Sequence, residues 1–225
     1  MANVNWGLVG IGRLGTALLN RCHAEGLPLK VYHPELKRAE KAICGTVHRA
    51  VPLSELARCD YVMLALPENA VKAFLDDVSK VERDASLIVI NLSTKDRTDR
   101  LKEEWPSLSF TGVKLAGHAK AFEEDGGALF VSDSWETDER IRAFFGSLGT
   151  IRAGTEEETE AFNRLVTKAA VTAAVRLEQA LEKEGFDAEY RRTALRHMVP
   201  KIVKAYEADE LGGFAKAVKR EAGDA

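Results

Sequence analysis

The chain has 225 residues, 45% hydrophobic and 30% charged, with a formal net charge of −3, which is material for one full α/β domain and a smaller appendage. The slightly acidic balance supplies no broad electropositive field, and nucleic acid is excluded as a partner on that ground. No run reaches the roughly 18 consecutive apolar residues of a transmembrane helix, and Met1–Gly12 has no basic opening segment and an apolar run too short and too rich in glycine for a signal sequence, so no membrane association is expected.

In chain order, the first strand candidate is Asn5–Val9, followed by a helix over Leu14–Glu25. Between them stands Gly10-x-Gly12-x-x-Gly15. Gly10 permits a tight turn, Gly12 lets a pyrophosphate approach the backbone, and Gly15 lets the helix pack closely on the strand. The free amides opening that helix, from Arg13 to Thr16, then point at the phosphates. A glycine pattern alone is weak evidence; placed between a strand and a helix and followed by a second strand, Leu29–Tyr32, it specifies a dinucleotide site. Gly10, Ile11, Gly12, Arg13, Leu14 and Gly15 are therefore expected to bind the cofactor.

The end of the second strand sets which dinucleotide. An acid there would accept from the ribose 2′-hydroxyl of NAD. This chain has His33, with Lys37 and Arg38 shortly after it, and cations there attract a 2′-phosphate. NADP(H) is expected ahead of NAD(H), with His33, Lys37 and Arg38 as its contacts. The alternative for Lys37 and Arg38 is solvated helix-surface charge.

Further along come a helix over Pro34–Cys44 and strands over Thr46–His48 and Tyr61–Leu66. Tyr61–Leu66 is almost continuously apolar, as in a strand covered on both faces. Next come a helix over Ala70–Val78, a strand over Leu87–Asn91, a helix over Thr98–Glu104, and strands over Leu108–Val113 and Ala128–Ser132. Strands alternating with amphipathic stretches imply βαβ units and a mainly parallel sheet. Thr137–Ser147 reads as a helix capped by Thr137. Near Gly149–Thr155 the pattern changes, and three helices are expected over Glu156–Glu184, Ala188–Tyr206 and Leu211–Glu221. Thr155 and Glu158 form a capping box, Gly185 ends the first of these helices, and Asp187 caps the second. The expected fold is a Rossmann-type doubly wound α/β domain, residues 1–152, followed by a small all-helical C-terminal domain, residues 153–225. Helices this thin must bury their apolar stripes on the first domain, a second chain, or both, and a homodimer through them is expected.

Cys22, Cys44 and Cys59 show no CxxC spacing and read as buried, reduced thiols of a cytoplasmic protein. The dispersed histidines give no zinc pattern, and no Ser-His-Asp or Cys-His order stands out. The acids at Glu156–Glu158 and Glu160 read as a helix-start charge run. Hydride transfer needs an oriented acceptor and a proton donor beside the nicotinamide. After the sixth strand, Lys114, His118 and Lys120 form a polar cluster in which His118 can donate a proton and Lys114 or Lys120 can hold a carboxylate; a solvated basic loop is the alternative. On the long helix, Asn163 with Thr167 and Arg164 with Lys168 share faces at i, i+4 spacing.

Gly10–Gly15, Asp60–Pro67 with Val71, Leu87–Ser93, Gly127–Ser132 and Ile141–Gly149, in this order, resemble the pyrroline-5-carboxylate reductase and F420-dependent NADP oxidoreductase group, within the 6-phosphogluconate dehydrogenase-like superfamily. The resemblance implies that Leu66-Pro67-Glu68-Asn69 lies along the ribose and nicotinamide side of the cofactor. It implies that Asn91-Leu92-Ser93-Thr94 borders the reacting pocket, adding Leu66, Pro67 and Ser93 to the cofactor contacts. It also implies a C-terminal helical domain supplying part of the substrate site, commonly across a dimer, and a catalytic or substrate-binding lysine and asparagine on its long helix. Arg164 stands where that lysine is expected, and Lys168 is the candidate, with a solvated helix lysine as the alternative. The reductases' Met-Pro-Asn segment is replaced by Lys114-Leu115-Ala116-Gly117-His118, and of their Ser-Pro-Gly-Gly-Thr-Thr loop only Gly212-Gly213 remains. The expected function is an NADP(H)-dependent oxidoreductase acting on a small imine or carbonyl substrate, with His118, Lys114 and Lys168 as catalytic candidates; the alternative is a non-catalytic NADP(H)-binding sensor or scaffold.

Overall fold

The computed structural model describes residues 4–133 and 138–223. The chain forms two units, Met1–Arg164 and Leu165–Ala225. In the first, β1 (Trp6–Val9), α1 (Arg13–Ala24), β2 (Lys30–Tyr32), α2 (Leu36–Ala42), β3 (Arg49–Ala50), α3 (Leu53–Leu56), β4 (Tyr61–Leu64), α4 (Glu68–Lys80), β5 (Ile88–Asn91), α5 (Thr98–Glu104) and β6 (Ser109–Ala116) alternate. They are followed by α6 (Ala119–Asp125), β7 (Leu129–Ser132), α7 (Glu139–Leu148) and β8 (Thr150–Ala153). One sheet carries all eight strands in the order β3-β2-β1-β4-β5-β6-β7-β8. Every pairing is parallel except β6 with β7. This is the doubly wound Rossmann arrangement, with its switch point between β1 and β4.

Side-chain alternation along the central strands loads both faces of the sheet. Leu8, Val31, Met63, Ile90 and Val113 face one buried cluster with Leu18, Phe122 and Phe145. Val9, Val62, Leu64 and Val89 face the other with Val71, Leu75 and Leu101. Trp6 stacks on Tyr61 at 4.4 Å and on Phe144 at 4.0 Å between ring centroids, tying α7 to the sheet. The Tyr61 hydroxyl donates to Asp138 Oδ2 at 2.7 Å. Burial, then the Asp138 carboxylate, push the Tyr61 phenol up to about 12.

Several sequence expectations are corrected. The strand expected at Thr46–His48 forms instead at Arg49–Ala50, because Thr46 closes the end of α2 onto the Ile43 carbonyl through its N–H and hydroxyl. His48 turns inward, accepting at Nδ1 from Leu29 N (3.1 Å) while Nε2 donates to Leu19 O (2.8 Å). β6 continues three residues past Val113, because β7 pairs with it there in antiparallel register. Lys114 therefore lies within a strand and not in a loop after it. β8 was not expected; it pairs with β7 in parallel. Asp138 caps α7, accepting from Arg140 N and Ile141 N, while Thr137, the expected cap, lies outside the described residues. Cys22 and Cys59 are buried, their thiols pushed up by burial to about 12 and about 11, whereas Cys44 is exposed.

α8 (Glu156–Lys183) opens on the expected capping box, Glu158 N donating to Thr155 Oγ1 and Thr155 N to Glu158 Oε2. Its first turns belong to the first unit and the remainder to the second. Gly185, at φ 83°, ends it, and Asp187 caps α9 (Ala188–Thr193). The single helix expected over Ala188–Tyr206 is instead α9, a π turn over Ala194–Met198, and α10 (Val199–Glu207). Pro200 accounts for this: it lacks an N–H and its ring clashes with a straight α-turn before it. α11 (Gly213–Gly223) closes the second unit.

Candidate functional site

The loop between β1 and α1 is shaped by backbone contact. Gly10 has φ 101°, and a Cβ on it would lie 2.4 Å from the Ala65 carbonyl oxygen. A Cβ at Gly15 would lie 1.9 Å from the Gly10 carbonyl oxygen. Both positions require glycine, for the turn and for the helix approach respectively. Gly12 faces open space, room that a pyrophosphate needs against the backbone. It is also the N-cap of α1, with no side-chain cap and no acid in the first turn. The first amides of a 12-residue helix therefore meet this space with the positive end of its dipole and no competing carboxylate.

Two clefts flank the loop at the carboxyl ends of the strands, and Ala65, Leu66 and Pro67 form a wall of both. One, of about 410 Å³, is bounded by Gly10–Gly12, Tyr32-His33-Pro34 and the α4 residues Phe74 and Asp77. The other, of about 610 Å³, is bounded by Arg13, Leu14, Asn69, Leu92–Lys95, Gly117-His118 and Asn163. Expected cofactor contacts thus divide between them: Gly10, Ile11, Gly12 and His33 in the first, Arg13, Leu14 and Ser93 in the second, and Leu66 and Pro67 in both. His33 is held by its Nδ1, which accepts from Glu35 N at 3.0 Å. Lys37 and Arg38 stand on the exposed side of α2, outside the lining of either cleft, and Arg38 pairs with Glu35 at 3.2 Å. That pair is solvent-exposed and contributes little.

In the larger cleft, His118 caps α6, its Nδ1 accepting from Lys120 N at 3.3 Å. That bond leaves the neutral ring's proton on Nε2. Lys120 pairs with Glu124 on the surface. Asn163 fastens the loop after β6 to α8: its Nδ2 donates to Leu115 O (2.9 Å) and its Oδ1 accepts from Gly117 N (3.0 Å). Lys114 is buried and lines neither cleft. Its ammonium donates to Ser93 O and lies 3.1 Å from Glu156 Oε1. Burial lowers its pKa, and the Glu156 carboxylate opposes that shift. Lys168 lies on the second-unit part of α8, is exposed, and lines neither cleft.

Sequence reasoning missed Glu156, read as helix-start charge, because its partners Thr98 and Lys114 lie on distant elements. It missed Tyr32, Phe74 and Asp77 because apolar and acidic helix residues carry no cofactor signature. Among the described residues no group of acids, cysteines and histidines is placed to hold a metal ion. No described helix is long and apolar enough to cross a membrane.

Solved structures share this fold. Pyrroline carboxylate reductase from Plasmodium falciparum, solved with NADP, is similar at 17% identity and TM-score 0.66, over 97% of this chain and 84% of that one. A reductive aminase from Aspergillus terreus, in complex with NADPH and ethyl levulinate, is similar at 14% identity and TM-score 0.67, over 92% and 75%. A variant imine reductase from Myxococcus stipitatus, in complex with NAD+, is similar at 16% identity and TM-score 0.62, over 93% and 75%. No curated protein matches by sequence. Residues 5–94 match the family described as NADP oxidoreductase, coenzyme F420-dependent. The matched segment is the one that builds the glycine loop, the shared wall of the two clefts and the start of the loop after β5.

Proposed function

We propose that the chain is an NADP(H)-dependent oxidoreductase that transfers a hydride between NADPH and a small imine or carbonyl substrate, in the manner of a pyrroline-5-carboxylate reductase. The observation that carries this reading is the pair of clefts joined across Leu66-Pro67, with the α1 amides between them. Tyr32 and His33 would hold the adenosine half of a dinucleotide laid across that wall, the amides beyond Gly12 its pyrophosphate, and Leu92–Lys95 its nicotinamide half. The NADP oxidoreductase family of residues 5–94 supports the cofactor.

In this pose the nicotinamide supplies or accepts the hydride. Leu14, Leu66, Leu92 and Leu115 line the larger cleft and keep water from the reacting face. His118 is the group to hydrogen-bond, through its Nε2–H, the carbonyl oxygen or imine nitrogen that takes up a proton. His33 contacts the 2′-phosphate, and Lys37 and Arg38 stand nearby on flexible stems that reach it once Arg38 leaves Glu35. Lys114 serves to hold the cleft wall. The apolar side chains exposed on the second unit support a homodimer through the C-terminal helices, and the free thiols Cys22, Cys44 and Cys59 accord with a cytoplasmic location.

NADPH oxidation across a panel of cyclic imines and keto acids tests the reading. Turnover is expected with at least one member, reduced about 100-fold or more by His118→Ala with cofactor affinity kept. Tight NADPH binding with no turnover on any member points instead to a sensor.

A further inference from the structure

Lys114 is only 3% exposed, and hydride transfer gives it no step. A buried ammonium needs compensating partners. It has the Ser93 carbonyl oxygen, the Asp96 carbonyl oxygen at 3.4 Å, and Glu156 Oε1 at 3.1 Å. Glu156, the first residue of α8, accepts in turn from Thr98 N at 3.1 Å and from the Thr98 hydroxyl, at the start of α5. Its carboxylate fits because residue 112 on β6 is glycine; a Cβ there would lie 2.5 Å from Glu156 Oε1 and 3.0 Å from Thr98 Oγ1. Asn91 completes the frame, its Nδ2 donating to Asp96 O (2.7 Å) and Thr98 Oγ1 (2.9 Å), while Ser93 N donates to its Oδ1 (3.0 Å). One charge pair thus grips the segment Ser93–Thr98 at both ends, and the outer side of that segment, Ser93-Thr94-Lys95, is cleft wall. In a trans peptide the C=O and the following N–H point opposite ways. With the Ser93 oxygen drawn inward to the ammonium, the Thr94 N–H is presented outward.

We propose that Lys114 and Glu156 are positioning residues that fix the Ser93–Lys95 loop, and with it the Thr94 N–H, against the nicotinamide half of the dinucleotide. The pair then governs affinity for that half and leaves the adenosine half untouched. This rests on the reading that the larger cleft takes the nicotinamide.

The test is calorimetric titration of the full chain with NADPH and, separately, with adenosine 2′,5′-bisphosphate, which lacks the nicotinamide half. Lys114→Met is expected to weaken NADPH at least about tenfold while the bisphosphate changes by less than about twofold. Because Lys114→Met strands the Glu156 carboxylate, the neutral pair Lys114→Met with Glu156→Gln is measured beside it, with thermal melting to confirm folding. The same split is expected there. A folded double variant that binds NADPH as the parent does overturns the proposal, and so does one that loses both probes equally, which marks a merely structural pair. A parent chain that binds the bisphosphate but gains nothing from the nicotinamide half also overturns it. A parent that binds neither probe overturns the dinucleotide reading itself, a result distinct from all of these.

Discussion

At Gly15 the α1 helix approaches the Gly10 carbonyl so closely that one added carbon would sit 1.9 Å from the oxygen. Gly15→Ala must therefore push α1 off the loop, and loss of NADPH binding by two orders of magnitude or more, with a lower melting temperature, is the expected outcome of titration and thermal unfolding. His48 makes a different residue-scale prediction. Its ring is buried between Leu29 N and Leu19 O, and burial lowers its pKa below 6.5. The unfolded chain then binds the extra proton more readily, so the stability tied to neutral His48 is full above about pH 6.5 and is lost as pH falls through the folded value. His48→Gln keeps one donor and one acceptor without titrating; melting temperatures between pH 7 and 5 are expected to fall less steeply for it than for the parent. The thiols act at the other end. Cys22 and Cys59, raised from 9.0 to about 12 and about 11, contribute stability that is full below pH 9 and lost as pH rises through those values. Lys114, lowered by burial, works against them over part of that range.

Elements were legible where local chemistry fixed them. α5 has the bounds read from its sequence, and Thr155 with Glu158, Gly185 and Asp187 act as their residue types imply. What could not be read depends on partners far along the chain. Lys114 reads as a loop cation until β7 is known to extend β6 over it. Glu156 reads as dipole-favoured surface charge until Gly112 and Thr98 are seen to make its slot. β8 is four residues with one buried side chain, Ile151, too faint a pattern beside a capping signal. The strand–turn–helix of the glycine loop was legible, because the positive φ of Gly10 and the approach of Gly15 to the Gly10 carbonyl are local requirements, whereas the Ala65 carbonyl that crowds Gly10 was not. Two element-scale outcomes follow. Trp6→Ala removes the ring stacked between β4 and α7, and chemical denaturation is expected to show a loss of about 3–5 kcal/mol. Thr155→Ala removes one half of the α8 capping box at an expected cost of about 1 kcal/mol, measured in the same way.

At the scale of the molecule, the second unit leaves Phe214 86% and Leu165 69% exposed, with Tyr190 and Val203 also open to solvent. Exposed apolar surface on this helical unit supports the proposed homodimer. Light scattering is expected to give twice the 24.7 kDa chain mass, and Phe214→Glu to lower it toward one chain; a monodisperse single chain at micromolar concentration would contradict the dimer. The proposed dinucleotide site stands independently of that outcome, since the glycine loop and both clefts lie within the first unit. Its most direct test is calorimetric titration of the purified chain with NADPH and NADH side by side. The expected result is one NADPH per chain at micromolar affinity, at least about tenfold tighter than NADH, a margin of about 1.4 kcal/mol. Absence of binding by either dinucleotide at millimolar concentration would contradict the site, and NADH binding as tightly as NADPH would contradict the assignment of the 2′-phosphate to His33 and its neighbouring cations.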